Sequence, residues 1–489
     1  MENYLDIIAK GDMKKIQELF SNHRPEFDLE TSEALSQFKI AEHDVFSTKK
    51  RPKKKILKDT GEKVGGQPSF QTTYVEVARI GMPLQELIVN RRVGFALSVP
   101  VYYEAIDNED KTEQEEELIK LIDRIHNDNK MDYKNREILR AVLSQMECAE
   151  LWYFVPNENA SIDSKFTVKV KVLTPDNGDK LFPLFDETGN LISFARGYKV
   201  KEGVIDIEHY DIYTDKGEIK WAFRDKDWKL ESTTNHQVGK MMIIYHSQKQ
   251  PEWHKVQSQI SRLETLASNH ADMNDYYGSP ILAIGGQVLG YIEKGSQGGV
   301  LQLEANASAN YLALASEPQS IKMEKEDTRK DIFDLSQTPD ITFEKMTGLG
   351  QLSGVALELL FLDAHMAVRV TEEMFGIGLQ RRVNLLKAVI GKVLITRMSA
   401  VADKLQLKPV ITPYLPNIDA EVIENIASAL GAGIMSKETG REQNPLVTDS
   451  KAEKLRIEAE KTEELAERDA EDEKAFQKTT EEIKLKTKK

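Results

Sequence analysis

Apolar residues recur along this chain with two different periods, and the switches between them mark its organisation. Within residues 1–45, Ile7, Ile8, Met13, Ile16 and Phe20 fall at loose helical spacing. From Tyr74 to Asn90 the positions Val75, Val77, Ile80, Leu84, Leu87 and Ile88 predict a helix, despite Gly81 and Pro83 inside it. Phe95 to Tyr103 reads as extended. Glu113–Asn127 and Asp132–Gln145 predict two helices, the second with Ile138, Leu139, Val142 and Met146 along one side. The period then drops to two. A β-rich stretch runs from Leu151 to about Tyr245, clearest in Phe166 to Val172 and in Val204 to Glu208. Thr188-Gly189-Asn190 and Asp215-Lys216-Gly217 punctuate it as turns.

Helical spacing returns near Trp253, where Val256, Ile260, Leu263 and Leu266 form one stripe, and stops at Tyr277-Gly278-Ser279-Pro280. Residues 278–299 hold seven glycines among Ile281, Leu282, Val288, Leu289, Tyr291 and Ile292, which reads as a small β-module with tight turns. Asp327–Leu335 predicts a short helix that ends before Pro339. A glycine-rich loop, Thr342 to Leu352, then leads into Ser353-Gly354 and a long apolar helix from Val355 to about Met374. Ser353 suits its N-cap. Gly376 and Gly378 are expected to break that helix before a second one bearing Leu379, Val383, Leu386, Ile390, Val393 and Leu394. Pro409 to Tyr414 reads as extended and Ala420–Leu430 as a short helix ended by Gly431. The last 41 residues carry 13 acids and 11 bases with few large apolar residues after Ile457, a solvated helix or disorder. No long-period repeat is visible.

Composition narrows the function more than the fold. The 489 residues are 40 % hydrophobic and 30 % charged, a globular balance with room for several domains. The net charge of −14 does not suit a protein that coats nucleic acid. A single cysteine, Cys148, excludes an internal disulfide framework and makes a tetrahedral zinc site improbable. Met1 to Asp6 lacks the basic and apolar regions of a signal peptide, and no apolar run reaches membrane-spanning length, so a soluble protein made inside the cell is expected. The run Lys49, Lys50, Arg51, Pro52, Lys53, Lys54, Lys55 could bind nucleic acid, but it is short and lacks interleaved aromatics, so a solvated loop is the better reading.

Enzyme signatures are missing. No Gly-x-x-x-x-Gly-Lys-Ser/Thr cradles a triphosphate, and Lys294-Gly295-Ser296 has the wrong order. The nine histidines form no His-Glu-x-x-His pattern. Pro339-Asp340 with Glu344-Lys345 suggests a metal-dependent nuclease core. Glu344 and Lys345 are adjacent, however, and on a strand they would point to opposite faces. No catalytic residue, metal ligand or cofactor site is assigned.

The order of these elements resembles the portal proteins of tailed bacteriophages, especially the branch of long-tailed phages of Gram-positive hosts. Four stretches carry the resemblance: Arg91 to Val101, Gly239 to Tyr245, Thr338-Pro339-Asp340 through Leu352-Ser353-Gly354-Val355-Ala356-Leu357, and Leu415 to Ile418 with Gly433 to Thr439. Ser98 replaces the family's usual glycine, and Met241-Met242-Ile243 its usual Ile-Pro. The resemblance implies an α+β portal fold with wing, stem, clip and crown. The wing would be 1–252 and 353–417, the stem helices 253–277 and 327–337, the clip 278–326, the tunnel loop 338–352, and the crown with its charged tail 418–489.

The implied function is a ring of about twelve subunits, or about thirteen when overproduced alone, at one capsid vertex. It would pass double-stranded DNA during packaging and ejection and dock the terminase large subunit and the head–tail adaptor. Major capsid and scaffold proteins are the other implied partners, the virion and, during assembly, the host cytoplasm the locations, with no membrane and no cofactor. The tunnel-loop residues would be Lys345, Met346, Thr347, Gly348, Leu349, Gly350 and Gln351, with Ser353 and Gly354 starting the helix behind them. Lys322, Lys325, Arg329 and Lys330 are candidates to touch the DNA backbone. The competing reading is another virion structural or scaffold protein without a DNA channel.

Overall fold

The computed structural model describes residues 4–64, 67–106, 112–157, 165–277, 281–285, 288–290, 302–303, 308–312, 318–340, 359, 361–414, 419–447 and 449–466. They belong to two compact units: Met1–Thr342 with Phe361–Tyr414, and a smaller one containing Leu415–Lys489. Helices and sheets are both extensive, and the fold is α+β.

The larger unit opens with α1 (Tyr4–Lys10), α2 (Met13–Asn22) and α3 (Thr31–Phe38), followed by a hairpin of β1 (Lys54–Val64) and β2 (Gln67–Val75). Residues 76–83 are not helical, and α4 spans Leu84–Leu97, so the helix expected from Tyr74 begins ten residues later and occupies the start of the stretch read as extended. Only β3 (Tyr102–Ala105) of that stretch is a strand. The reason lies in tertiary bonds to 78–82, described below.

Next come α5 (Glu113–Asp128) and α6 (Met131–Gln145), as the spacing predicts. Thr112 and Glu115 close a capping box on α5, which satisfies two otherwise free N–H groups. The β-rich stretch then supplies β4 (Glu147–Pro156), β5 (Phe166–Leu173), β6 (Lys180–Phe185), β7 (Leu191–Glu202), β8 (Ile205–Tyr213), β9 (Gly217–Arg224), β10 (Asp227–Asn235) and β11 (Ile243–Ser247). They form a five-stranded antiparallel meander, β10-β9-β8-β7-β6, and a three-stranded sheet, β11-β4-β5.

Beyond these lie α7 (Gln257–Tyr277), the short strands β12 (Ile281–Gly285), β13 (Val288–Gly290), β14 (Gln302–Leu303) and β15 (Ser308–Leu312), and α8 (Pro318–Leu335). β12 pairs with β15 and β13 with β14, so the glycine-rich region is a β-module among its described residues. α8 starts nine residues before the expected helix. Its first half is too polar to show an apolar stripe, but Pro318 suits a first helical turn.

The chain then forms α9 (Leu362–Val389), which ends in a π-helical turn at Ile390–Leu394, α10 (Ser399–Lys404) and β16 (Leu407–Val410), paired with β3. Gly376 and Gly378 do not break α9. Buried Phe375, Leu379 and Val383 hold the helix through them, and Gly378 is a packing residue: a Cβ there would overlap the His246 imidazole of β11.

Apolar cores among the described residues support this unit. One joins α5, α9, β4, β5 and β16 through Leu118, Ile122, Trp152, Val170, Leu386 and Leu407. Another packs Ile16 and Phe20 of α2 on Leu184, Tyr210 and Ile212 of the meander. A third, around Phe194 and Tyr245, fastens the two sheets together. At the first core lies a buried ion cluster: Arg382 of α9 donates to Glu150 of β4 at 2.6 and 2.9 Å and to Asn135 of α6 at 2.7 Å. His246 lies 2.7 Å from the same carboxylate.

In the smaller unit, α11 (Asp419–Gly431) and α12 (Lys437–Glu442) form a helical pair, with Gly440 set against Leu430 and Ile426. A further helix over 450–466 is largely exposed, as the tail composition predicts for that segment.

Candidate DNA-channel elements

The stripe Val256, Ile260, Leu263 and Leu266 is buried, so these positions are subunit core. The rest of α7 does something the apolar pattern does not show. Glu264, Ser268 and Asp272, spaced i, i+4, i+8, point to one side and are 2 %, 0 % and 9 % exposed. Each accepts a backbone N–H from the extended segment beside them: Met82 to Glu264 at 2.7 Å, Ile80 to Ser268 at 2.9 Å, and Ala78 to Asp272 at 2.7 Å.

The geometry has a simple cause. Four helical residues rise about 6 Å and two extended residues about 6.6 Å, so alternate N–H groups stay in step with one helix face. Side chains thus take the place of a neighbouring strand. This is why 76–83 is extended although its apolar residues suit a helix. Gly81 is required here because a Cβ would strike the Phe46 ring.

The basic run feeds the same face. Arg51 bonds Asp272 at 2.6 Å and Asn269 at 2.8 Å, Lys54 lies 3.1 Å from Asp272, Lys50 pairs with Asp44 and Lys53 with Glu76. Four of its bases are ion-paired within the subunit, which supports the structural reading over nucleic-acid binding. Burial pushes the Asp272 carboxyl up, but the Ala78 N–H and the two cations outweigh it and hold it below the usual range. His43 adds a 2.6 Å contact to Glu264, both side chains buried.

α8 lies against α7, joined by Arg262–Glu324 at 2.6 Å and by Lys325 donating to His270 Nδ1 at 2.8 Å. Lys322, Lys325 and Arg329 share one side at i, i+3, i+7, with Lys330 about 100° further round than Arg329. They do not form a free cationic patch. Lys322 is exposed and 3.7 Å from Glu326; Arg329 reaches Asp340 at 3.4 Å and lies over the Phe333 ring at 5.4 Å. Lys330 is exposed and has no ion pair among the described residues. With five acids and four bases, α8 is not a basic helix.

Residues 345–351, Ser353 and Gly354 lie outside the described residues, as does the start of the helix expected from Val355, whose later part, from Leu362 on, opens α9. The approach to the loop on its N-terminal side is described, and it is firmly held. Ser336 to Asp340 turn tightly after α8, with Gln337 left-handed at φ 50° and Thr338 N–H bonded to Phe333 O at 2.9 Å. Arg92 of α4 donates to Ser336 O at 3.0 Å and pairs with Glu252 at 2.7 Å. Arg91 donates to Pro339 O and sits over Phe333 at 5.2 Å. Sequence reasoning missed both roles; the available signal was an arginine pair within an apolar helix, which needs partners if buried.

Among the described residues no group of His, Cys, Asp and Glu could hold a metal, and no helix is long and apolar enough to cross a membrane. Cys148 is buried, and burial holds its thiol well above the ordinary pKa, so it is not a reactive nucleophile.

The family described as "Phage portal protein, SPP1 Gp6-like" matches residues 48–467. The chain belongs to this family. Portal proteins are structural rather than enzymatic, and the protein is a virion component of portal type. No curated protein matches the chain. Among solved structures, the "Neck of empty GTA particle computed with C6 symmetry" is 12 % identical with a TM-score of 0.40, covering 74 % of this chain and 89 % of that one. The "Neck of native GTA particle computed with C12 symmetry" is likewise 12 % identical, with a TM-score of 0.37 over 74 % of this chain and 88 % of that one.

Proposed function

We propose that this portal-family protein closes into a ring of about twelve copies and acts as the conduit for double-stranded DNA at one capsid vertex. The observation that carries this reading is the portal-family match over 48–467, which spans all the elements named above from the basic run to the start of the tail. It disfavours the alternative of a scaffold protein without a channel. The proposed stem is α7 with α8, and the clip is the β-module between them. The wing comprises the preceding residues with α9 to β16, and the crown begins near residue 418. The terminase large subunit, major capsid and scaffold proteins and the head–tail adaptor are the proposed partners, met first in the host cytoplasm.

Residues 345–351 are the proposed gate. A loop that must shift around a sliding duplex needs a fixed root and a pliable span. The pinned turn at 336–340 supplies the root, and Gly348 and Gly350 give pliancy to the sequence beyond it. The weakly acidic α8 suits a conduit, because a strongly basic wall would hold phosphates and stall passage. Lys322 and Lys330 are better placed for transient backbone contacts than Lys325 and Arg329, which are engaged within the subunit.

The test is the double substitution Gly348→Val/Gly350→Val. Ring yield by gel filtration should match wild type, while DNase-protected DNA in a packaging reaction should fall severely. Normal rings with normal protected DNA would remove the loop from the mechanism.

A further inference from the structure

A cleft of about 960 Å3 opens beside β7, within the size range of sites that enclose ligands. Its origin is a mismatch of strand lengths. β6 begins at Lys180, opposite Gly197, whereas β7 continues to Glu202 paired only with β8. Where β6 would extend, the chain instead makes a tight turn at Pro175–Asn177, with Gly178 at φ 84°. Among the described residues no strand covers the edge of 198–202, and Tyr198 to Lys201 line one wall of the cleft. Backbone groups alternate in direction along a strand, so part of this segment offers its N–H and C=O groups to the cleft.

The side chains around that edge are selective. The two lining acids are already engaged: Asp179 by Arg196 at 2.6 Å and Glu208 by Lys199 at 3.0 Å. Lys171, Lys180 and Lys201 also line the cleft, are exposed, and have no ion pair among the described residues. That leaves a local cationic excess on a chain with net charge −14.

We propose that this cleft binds an extended acidic peptide of a partner protein, which adds to the open edge of β7 and sets its carboxylates against Lys171, Lys180 and Lys201. Strand addition supplies affinity through the backbone, and the lysines supply the preference for acids. A DNA duplex is the weaker fit, because a rigid rod cannot lay alternating N–H and C=O groups along an open strand edge. Lysines on a bare edge also discourage self-pairing of sheets, and that role alone would leave the cleft empty. The inference is independent of the DNA-channel reading.

The experiment uses the full-length protein and fluorescence anisotropy with a labelled octapeptide of alternating Asp and Val. Saturable binding is expected, with the Lys-Val analogue and a DNA duplex of similar charge binding at least about tenfold more weakly. The variant Lys171→Glu/Lys180→Glu/Lys201→Glu should lose about tenfold or more in affinity while keeping the wild-type thermal midpoint and ring yield. Should that variant misfold, Lys201→Gln alone should still weaken binding severalfold. Hydrogen exchange should slow within 198–202 when peptide is present. Absence of binding, equal binding of the Lys-Val peptide, tighter binding of duplex, indifference to the lysine variants, or unchanged exchange at 198–202 would each overturn the proposal.

Discussion

Glu150→Gln is the sharpest probe of what holds the larger unit together. The Glu150 carboxylate is fully buried and receives Arg382 at 2.6 and 2.9 Å, Trp152 Nε1 at 2.9 Å and the His246 ring at 2.7 Å. These contacts tie β4 to α9 and β11, while Arg382 also reaches Asn135 of α6 at 2.7 Å. Glutamine keeps the shape but leaves the buried Arg382 guanidinium without its counter-charge. Breaking one side of a buried pair costs about 3–5 kcal/mol.

The titration of Glu150 gives a second route to the magnitude. Burial pushes its pKa up, but Arg382 and His246 more than offset that, and the net fall is from 4.5 to about 2. A carboxyl with a depressed folded-state pKa contributes stability that is present above its unfolded value of 4.5 and is lost as pH falls towards 2. A shift of this size corresponds to about 3 kcal/mol. Urea melts at fixed protein concentration, followed by tryptophan fluorescence, should show E150Q destabilised by about 3–5 kcal/mol at pH 7. The gap from wild type should narrow below pH 4.5, where the carboxyl of the unfolded chain protonates while the folded one stays ionised until about 2. The paired replacement Glu150→Leu/Arg382→Met should recover much of the loss, since no lone charge remains. A difference under about 1 kcal/mol at pH 7, or a gap that does not narrow in acid, would refute the reasoning.

Gly378→Ala should lower the thermal midpoint, because its Cβ displaces His246 from Glu150, whereas Gly376→Ala, with open space around it, should raise stability by up to about 1 kcal/mol. Ser268→Ala removes the partner of the Ile80 N–H, and should cost about 0.5–1.5 kcal/mol in urea melts and speed hydrogen exchange at Ile80. Removing 450–489 should leave ring formation intact by gel filtration, because the described part of that segment is mostly exposed. Purified protein should release no phosphate from ATP above background, as expected of a structural family.

The legible parts of the fold were those whose own residues decide them. α5 and α6 carry strong periodicity and, at Thr112, a complete capping box; the β-rich stretch alternates over long runs; and the α7 stripe marks its buried side. The illegible parts depend on distant partners. Residues 78–82 are extended because Glu264, Ser268 and Asp272, far along the chain, take their N–H groups. Gly378 looks like a helix breaker until His246 is seen to need the space. The first half of α8 has no apolar stripe to betray it. For the candidate site, Lys322 and Lys325 were expected in the clip and Arg329 and Lys330 on the stem helix, whereas α8 carries all four, and Lys325 and Arg329 serve the subunit itself. The roles of Arg91 and Arg92 at the loop root were hidden because their acceptors, Pro339 O and Ser336 O, are backbone groups that carry no residue signature.

The proposed conduit role stands or falls with closure into a ring that leaves a passage for DNA. Electron-microscopic class averages of the purified full-length protein test it most directly. Rings of about twelve or thirteen subunits with a central hole wide enough for a duplex are expected. Solid particles, open filaments, or monomers and dimers at every concentration tried would contradict it.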